Sequence, residues 1–151
     1  MIAIRLAVAG DLPRVLDLCG QLWPDESRGE LGEHIGAVLA GTPRSTLPLV
    51  LFVAEMDAGL AGFVEVGLRS HAQGCDGARA VGFIEGWYVR PELRRRGVGR
   101  ALVARAEQWS REQGAVEMAS DTWLDHQLSI NAHQALGFEV VERCTQFRKA
   151  L

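Results

Sequence analysis

The chain has 151 residues, of which 48% are hydrophobic and 23% are charged, and its formal net charge is −3. These values are typical of one folded domain with enough apolar material for a core, and they exclude a disordered chain. The longest apolar run, Leu47 to Ala54, is well short of the roughly 20 residues of a membrane span, and Arg5 and Asp11 interrupt any signal-peptide core, so we expect a cytoplasmic protein.

The first half of the chain is predicted to form a strand, two helices and an antiparallel hairpin. Ile2 to Leu6 alternates in the manner of a strand. Apolar residues at helical spacing predict a helix that begins after Gly10-Asp11 and ends at Trp23-Pro24, and a second helix over Glu30 to Leu39. The two hairpin strands are predicted at Leu49 to Glu55 and Leu60 to Leu68.

After a polar loop from Ser70 to Arg79, the second half alternates strands and helices. The predicted elements are a strand at Val81 to Val89, a helix from Val98 to a C-cap at Gly114, a strand at Val116 to Ser120, a helix at Leu128 to Leu136, and two closing strands at Phe138 to Val141 and Thr145 to Arg148. This order combines an antiparallel meander with βαβ crossovers. We therefore predict a single α/β (α+β) domain over residues 1–151, with a mixed, mostly antiparallel central sheet flanked by helices.

Gly86 lies in the middle of the predicted strand Val81 to Val89. A glycine inside a strand often marks a β-bulge or the close approach of a ligand. The alternative is a crowded packing site. The sequence leaves both interpretations open.

The stretch from Arg94 to Arg100, Arg-Arg-Arg-Gly-Val-Gly-Arg, follows an apolar strand and precedes an amphipathic helix. A strand, a glycine turn and a helix in this order leave free backbone N–H groups and the positive end of the helix facing the turn. Gly97 and Gly99 permit close backbone approach, and the arginines add donors suited to phosphate. The pattern predicts a pyrophosphate site, although a solvated basic surface is an alternative.

The distribution of charge is more informative than its sum. All but one of the 16 basic residues are Arg, and five of them lie between Arg90 and Arg100, whereas acidic residues dominate much of the rest. This suits an anionic cofactor beside a pocket for a cation. No basic stripe with interleaved aromatics predicts nucleic-acid binding. The three cysteines are widely spaced and show no metal-like pairing, which favours a reduced compartment.

The pattern Arg/Gln-x-x-Gly-x-Gly/Ala at the glycine turn resembles the acyl-CoA pyrophosphate loop of the GNAT acetyltransferase superfamily, and the element order is the one expected of GNAT folds. Further segments resemble aminoglycoside 6′-N-acetyltransferases, so that the resemblance covers nearly the whole chain. These segments are Leu22-Trp23-Pro24-Asp25, Phe83 to Pro91, Met118 to Thr122 and His133 to Glu139. The resemblance implies acetyl-CoA-dependent acetylation of the 6′-amine of an aminoglycoside by direct transfer in a ternary complex, with antibiotic resistance as the outcome, no metal, no membrane partner and a homodimer.

The resemblance also implies roles for individual residues. The aminoglycoside, or another polyamine-like molecule, is expected to contact Trp23, Glu85, Asp121 and Glu142. Acetyl-CoA is expected to contact Tyr88, Val89, Arg94, Arg95, Arg96, Gly97, Val98, Gly99, Arg100 and His126. The chemistry agrees, because carboxylates accept hydrogen bonds from ammonium groups and a Trp face can stack on a sugar ring.

The predicted catalytic residues are Asp121, Glu85 and His133. Asp121 is the expected base for the substrate ammonium, with Glu85 and Glu142 mainly binding other ammonium groups, and a backbone N–H near Tyr88-Val89 is expected to polarise the thioester carbonyl. Structural alternatives remain: packing for Trp23, an ion pair for Glu85, helix capping for Asp121 with Thr122, and an exposed strand carboxylate for Glu142.

Two positions depart from the family pattern. His133 stands where many GNAT enzymes carry the tyrosine that protonates the CoA thiolate; it either takes that role or caps and packs on its helix. His126 stands where related enzymes more often carry an Asn that contacts the cofactor. The loop from Ser70 to Arg79 also lacks an aromatic residue that some relatives have.

Two alternative functions stay open at this level. One is acetylation of another small amine or of a protein N-terminus. The other is a non-catalytic protein that binds aminoglycoside or acetyl-CoA. A shallow groove without clustered acids would favour the first, because fold alone does not determine the substrate.

Overall fold

A computed structural model describes the chain from residue 1 to residue 151. The strands are β1 (Ala3–Leu6), β2 (Leu49–Met56), β3 (Gly59–Arg69), β4 (Val81–Val89) and β5 (Met118–Ser120). The helices are α1 (Leu12–Leu22), α2 (Arg28–Leu39), α3 (Val98–Glu112) and α4 (Gln127–Ala135). None of the helices combines the length and apolar character needed to cross a membrane.

The five strands form one sheet in the order β1-β2-β3-β4-β5. Neighbours are antiparallel except β4 and β5, which are parallel and are connected through α3. Helices α1 and α2 pack on one face of the sheet and α3 on the other, each over its own cluster of buried apolar side chains. The structure thus confirms the mixed, mostly antiparallel sheet flanked by helices.

Strand β4 carries a β-bulge at Glu85. Glu65 of β3 lies opposite Gly86, and the register then shifts so that Glu85 has no partner in β3. The parallel pairing with β5 ends at the same level, where Ile84 lies opposite Ser120. Beyond this point β4 and β5 are not paired, so the second half of β4 is open on the β5 side. The bulge suggested by Gly86 is therefore confirmed.

The two closing strands predicted at Phe138 to Val141 and Thr145 to Arg148 are wrong, because the structure forms no strand after β5. A strand requires a neighbour with which to exchange hydrogen bonds. The last strand of the sheet, β5, is only three residues long and starts later than predicted. Apolar residues of this C-terminal segment, including Val141 and Phe147, are exposed. Their alternating pattern has no sheet within the chain to join.

Asp11 links β1 to the start of α1 and is only 1% exposed. Its carboxylate accepts hydrogen bonds from Arg5 at 2.7 and 3.0 Å, from Arg14 at 2.5 Å and from the backbone N–H of Val8 at 2.9 Å. The hydrogen bonds from Arg5, with smaller contributions from Val8 and Arg14, hold the pKa of Asp11 well below its usual value. The group is therefore ionised in the folded chain throughout the neutral range.

Asp11→Asn is expected to lower the free energy of unfolding at pH 7 by about 1.5–3 kcal/mol, the cost of losing charge-assisted hydrogen bonds. The folded pKa lies below the unfolded value of about 3.9. The contribution of Asp11 is therefore fully present above the unfolded pKa and is lost as the pH falls toward the folded one. Urea unfolding at pH 7 and at pH 3 measures both values.

The two proteins should converge in stability as the pH falls. Asp17→Asn is the control, because Asp17 pairs with Arg28 while both side chains are more than half exposed. It should change the stability by less than about 0.5 kcal/mol. An equal decrease in the free energy of unfolding for Asp11→Asn at pH 7 and at pH 3 would contradict this account.

Candidate active site

The loop from Arg94 to Gly97 turns the chain from the end of β4 into α3. Gly97, the N-cap of α3, has a φ of +85°, and Arg95 has a φ of +61°, so two residues of the loop are left-handed. No side chain caps α3, and its first internal hydrogen bond runs from the Ala101 N–H to the Gly97 carbonyl. The N–H groups of the first turn are thus directed out of the helix end, which is the arrangement that binds anions.

The arginines of this loop divide into two groups. Arg95, Arg96 and Arg100 are exposed, and none of them takes part in an ion pair of the chain. Arg94 instead donates from Nε to the Val89 carbonyl at 2.9 Å, and its guanidinium carbon lies 5.5 Å from the centroid of the Tyr88 ring. Arg94 fastens the loop to β4, while the other three are available to an anionic ligand.

Trp87 of β4 packs beneath this loop, a contact that the sequence analysis missed. A Cβ atom on Gly99 would lie 3.0 Å from Trp87 Cζ2, so a side chain at this position would require the indole to move by a few tenths of an ångström. The Trp87 Nε1 atom is buried and has no hydrogen-bond partner. An unpaired buried donor costs free energy, and this cost falls at the indole beneath the loop. No local pattern in the sequence distinguishes Trp87 from an ordinary core residue.

A cleft of about 360 Å³ lies on the other side of β4, between the sheet and the start of α2. Its lining contains four glutamates and no Lys or Arg. The lining residues are Trp23, Glu26, Glu30, Leu31, His34, Leu49, Glu65 and Glu85. Such a cluster of carboxylates suits a ligand with several positive charges, and the indole beside it can stack on a ring of that ligand. The sequence placed Trp23 and Glu85 here but missed Glu26, Glu30, His34 and Glu65, which only the packing of α2 on the sheet brings together.

Trp23, at the C-terminus of α1, both packs and lines the cleft. Its ring centroid lies 6.0 Å from that of Phe63 in a tilted arrangement. A Cβ atom on Gly86 would lie 2.5 Å from Trp23 Cη2. The bulge and the crowded packing site that the sequence left as alternatives for Gly86 are therefore both present, and the bulged strand makes room for the indole.

Gly86→Ala is expected to displace the Trp23 indole and to lower the free energy of unfolding by about 1–3 kcal/mol, the usual cost of overpacking. Near-UV circular dichroism reports the indole, and urea unfolding reports the stability. Gly20→Ala is the control, since a Cβ there meets nothing within 4 Å. It lies in α1 and should be neutral or stabilise by up to about 1 kcal/mol. Unchanged dichroism and stability in Gly86→Ala would show that this contact does not hold Trp23.

The Glu85 carboxylate is already paired. Arg69 donates to its two oxygens from Nε at 2.8 Å and from Nη2 at 2.7 Å, while the guanidinium carbon lies 3.5 Å from the centroid of the Phe83 ring. Glu85 raises the pKa of Arg69, and Asp121 adds to this rise. The ion pair anticipated as an alternative for Glu85 is thus present, and it lies at the mouth of the cleft with Asp121 nearby.

Asp121 follows the last residue of β5 and is exposed, with no hydrogen bond from its side chain within the chain. Helix capping by Asp121 and Thr122 is excluded, because α4 begins at Gln127 and its N-cap is His126. The Asp121 carboxylate is therefore free where β4 and β5 separate.

Glu142 lies in the C-terminal segment after α4. It is exposed, it forms no ion pair, and it does not line the cleft. Because the closing strands do not form, nothing in this chain brings Glu142 to Trp23 and Glu85.

His133 of α4 is held on both sides of its ring. Nδ1 lies 2.7 Å from the Ser129 carbonyl oxygen, and Nε2 lies 2.8 Å from Ser120 Oγ. In the neutral ring Nδ1 donates to the carbonyl, and Nε2 accepts from the hydroxyl. The ring also meets Trp87 and Phe138 edge-on, with centroids 5.2 and 5.4 Å apart. His133 thus packs on its helix and forms a hydrogen-bonded pair with Ser120.

The remaining predicted residues make simpler contacts. Tyr88 is buried, and its hydroxyl donates to Gln21 Oε1 at 2.7 Å, so only its backbone is available at the open side of β4. The carbonyl of Val89 is used by Arg94. His126 is exposed, with Nδ1 3.4 Å from Thr122 Oγ1.

Comparison with known proteins agrees with this geometry. A model of the acetyltransferase (GNAT) family matches residues 16–138. The chain is 42% identical to an aminoglycoside N(6′)-acetyltransferase type 1 of Klebsiella aerogenes, covering 98% of this chain and 96% of the relative. It is 36% identical to the protein of the same name from Stenotrophomonas maltophilia, covering 98% and 93%.

Two solved structures share the whole fold. The aminoglycoside acetyltransferase AAC(6′)-Iy in complex with the bisubstrate analogue CoA-S-monomethyl-acetylneamine has a TM-score of 0.84 and 34% identity, over 100% of this chain and 99% of the other. The aminoglycoside 6′-N-acetyltransferase AAC(6′)-Ig of Acinetobacter haemolyticus has a TM-score of 0.87 and 30% identity, over 99% of each chain.

Proposed function

The chain belongs to the acetyltransferase (GNAT) family, and on that premise we propose that it transfers the acetyl group of acetyl-CoA to the 6′-amine of an aminoglycoside. Relatives of this activity match it over nearly the whole chain. The structural observation that supports the proposal is the position of two sites on β4. An anion-binding helix end lies beyond the end of the strand, and a glutamate-lined cleft lies at its bulge.

Acetyl-CoA is the co-substrate, and the residues present suit it. The first turn of α3 offers N–H groups to the pyrophosphate, and Arg95, Arg96 and Arg100 add charge-assisted donors. The open edge of β4 offers backbone groups beside Tyr88 and Val89 to an extended chain. His126 is a further predicted contact to the cofactor.

The acceptor is an aminoglycoside, whose ammonium groups suit the carboxylates of the cleft and whose rings suit the face of Trp23. Acetylation converts an ammonium into a neutral amide and so removes one positive charge from the drug. Resistance to the antibiotic is the expected consequence.

The chemistry requires a neutral amine. An alkyl ammonium is mostly protonated at neutral pH, by analogy with Lys at about 10.4. Asp121 is the free carboxylate at the separation of β4 and β5, so it takes the proton, directly or through water. The amine then attacks the thioester carbonyl, the C–N bond forms, the C–S bond breaks, and the CoA thiolate leaves. Glu85, already neutralised by Arg69, serves in binding rather than as the base.

Two groups complete the transfer. A backbone N–H of β4 near Tyr88-Val89 polarises the thioester carbonyl as negative charge develops. His133 and Ser120 form a hydrogen-bonded pair from which a proton can reach the thiolate. No covalent enzyme intermediate is needed, and burial raises the pKa of the Cys19 thiol to about 12, which removes it as a nucleophile.

A homodimer and a cytoplasmic location also belong to the proposal. The support for a dimer is the C-terminal segment, where Val140, Val141 and Phe147 are exposed and no strand of the same chain pairs with them. Light scattering on purified protein should give twice the mass of the 16.5 kDa chain. A monomeric mass at assay concentrations would remove the dimer while leaving the reaction in place.

The test of the reaction is the release of CoA thiol from acetyl-CoA in the presence of two aminoglycosides. Kanamycin has a 6′-amine, whereas paromomycin has a 6′-hydroxyl. Thiol release with kanamycin alone is the expected result. Release with neither drug would overturn the proposal, and equal release with both would place the acetyl group at another amine.

A further inference from the structure

Glu65 is a carboxylate at the centre of the sheet, where charge is costly. It is 1% exposed, and its neighbours Phe63, Val64 and Val66 in β3 are completely buried. An ionised carboxylate in such surroundings requires a partner. Its one ion-pair partner is His34 of α2, whose Nε2 lies 2.5 Å from Glu65 Oε1, and the other oxygen, Oε2, receives no hydrogen bond.

This pair lies on the floor of the acceptor cleft. Glu65 is directly opposite Gly86, the residue on which Trp23 packs, and both Glu65 and His34 line the cleft beside Glu85. The carboxylates of the cleft therefore differ in how they are paired. Glu85 pairs with Arg69, and an arginine stays protonated at every accessible pH. Glu65 instead pairs with His34, and a histidine can lose its proton and with it its positive charge.

We propose that Glu65 and His34 form a second ammonium subsite of the acceptor cleft, in which an ammonium group of the polycation pairs with Glu65 while His34 releases its proton to solvent. One positive charge replaces another, so the net charge beside the buried carboxylate is conserved. Deprotonated Nε2 no longer donates to Glu65 Oε1, so the two atoms move apart, and the incoming ammonium donates one hydrogen bond to each. The proposal rests on the proposed function for the class of its ligand.

Two features of His34 suit this exchange. Its side chain is 41% exposed, so a proton can leave directly to water. The carboxylates around it hold its proton in the free protein, because the hydrogen bond to Glu65 raises the pKa of His34, with a smaller contribution from Glu85. Burial and Arg44 oppose this rise without reversing it.

The charged groups around this pair come from α2 and its flanking segments and from β3 and β4, whereas α1 and β2, which also pack on α2, add none to the cleft. The groups are Glu30 from α2, Glu26 from the segment before it, Glu65 from β3, Glu85 with Arg69 from β4 and β3, and Arg44 from the segment after α2. The carboxylates outnumber the arginines, so the free cleft favours protonated His34. A bound polycation adds positive charge beside His34 and therefore favours release of its proton.

The experiment follows the imidazole of His34 by NMR in the whole protein, with and without saturating paromomycin. The chain has four histidines, and His34→Gln identifies the signal by its loss. The expected result is a pKa of His34 that falls by about one unit or more when paromomycin binds. Absence of binding, or binding that leaves this pKa unchanged or raises it, would overturn the subsite. A purely structural His34–Glu65 pair would show no such change.

Two variants separate the subsite from general electrostatics. Glu65→Gln keeps the shape of the side chain and should weaken paromomycin binding about tenfold, the effect of about 1.4 kcal/mol. Glu33→Gln removes one carboxylate from the same helix, where it pairs with Arg44 outside the cleft, and should leave the affinity within about twofold of wild type. Equal weakening by both variants would contradict a site at Glu65.

If Glu65→Gln fails to fold, His34→Gln carries the test, because His34 is partly exposed. It should abolish the proton release that calorimetry measures by comparing buffers of low and high ionisation enthalpy. Paromomycin cannot be acetylated at its 6′ position, so its binding is independent of the reaction. A pKa change without thiol release from kanamycin would keep the subsite and overturn the proposed function; thiol release without a pKa change would do the reverse.

Discussion

Asp121→Asn should lower kcat for acetylation of kanamycin by about 10²-fold or more, the usual contribution of general base catalysis. The amide keeps the size of the side chain but cannot take the proton of the ammonium. The Michaelis constant for acetyl-CoA should change little, because the cofactor loop lies at α3. Initial rates of thiol release, with acetyl-CoA varied at saturating kanamycin, give both constants.

The structure supports this expectation through the different surroundings of the nearby carboxylates. Glu85 is bound at both oxygens by Arg69, whereas Asp121 has no hydrogen bond within the chain. Asp125→Asn is the matched control, since Asp125 is also exposed and lies in the same segment before α4. A kcat for Asp121→Asn within about threefold of the Asp125→Asn value would assign the base to another group.

Gly97→Val should raise the Michaelis constant for acetyl-CoA by about tenfold or more. The φ of Gly97 is +85°, where a β-branched residue is strained by about 1–3 kcal/mol. The loop would relieve this strain by moving the first N–H groups of α3 away from the pyrophosphate. The Michaelis constant for kanamycin should change less than about twofold, since the glutamate cleft lies elsewhere on β4. Calorimetry with CoA measures the loss of cofactor binding directly.

Gly77→Val is the control for Gly97→Val, because Gly77 has no positive φ and a Cβ there meets nothing within 4 Å. Arg96→Gln is a second variant that leaves the backbone unchanged. It should raise the same constant by a smaller factor, by removing one exposed cation from the loop. An unchanged acetyl-CoA constant in a folded Gly97→Val protein would show that this turn does not position the cofactor.

Local patterns were sufficient for most of the fold. The apolar runs of β2 and β3, the apolar stripe of α3 and the glycines at turns are properties of short segments, so their elements were predicted within a few residues. The closing strands failed because a strand is not a local structure. Phe138 to Val141 has the composition of a strand, but no strand of this chain pairs with it.

The candidate site was predicted in part for the same reason. The glycine loop is contiguous, so the sequence alone located Gly97, Gly99 and their arginines at the start of a helix. The partners of the acceptor cleft are not contiguous. The sequence marked Glu85 of β4 but not Arg69. Arg69 lies 16 positions earlier, at the end of the neighbouring strand β3, and donates to the Glu85 carboxylate.

The sequence by itself determined the family, the order of the first nine elements and the glycine turn at the start of α3, because periodicity, glycine turns and short motifs depend on neighbouring residues. Only the tertiary structure showed which charged side chains meet in the glutamate-lined cleft. It placed His34 of α2 against Glu65 of β3, 31 positions apart, and Trp23 over Gly86. Such contacts depend on how a helix packs across a bulged sheet, and the free energy of burying a carboxylate is settled by neighbours that are distant along the chain.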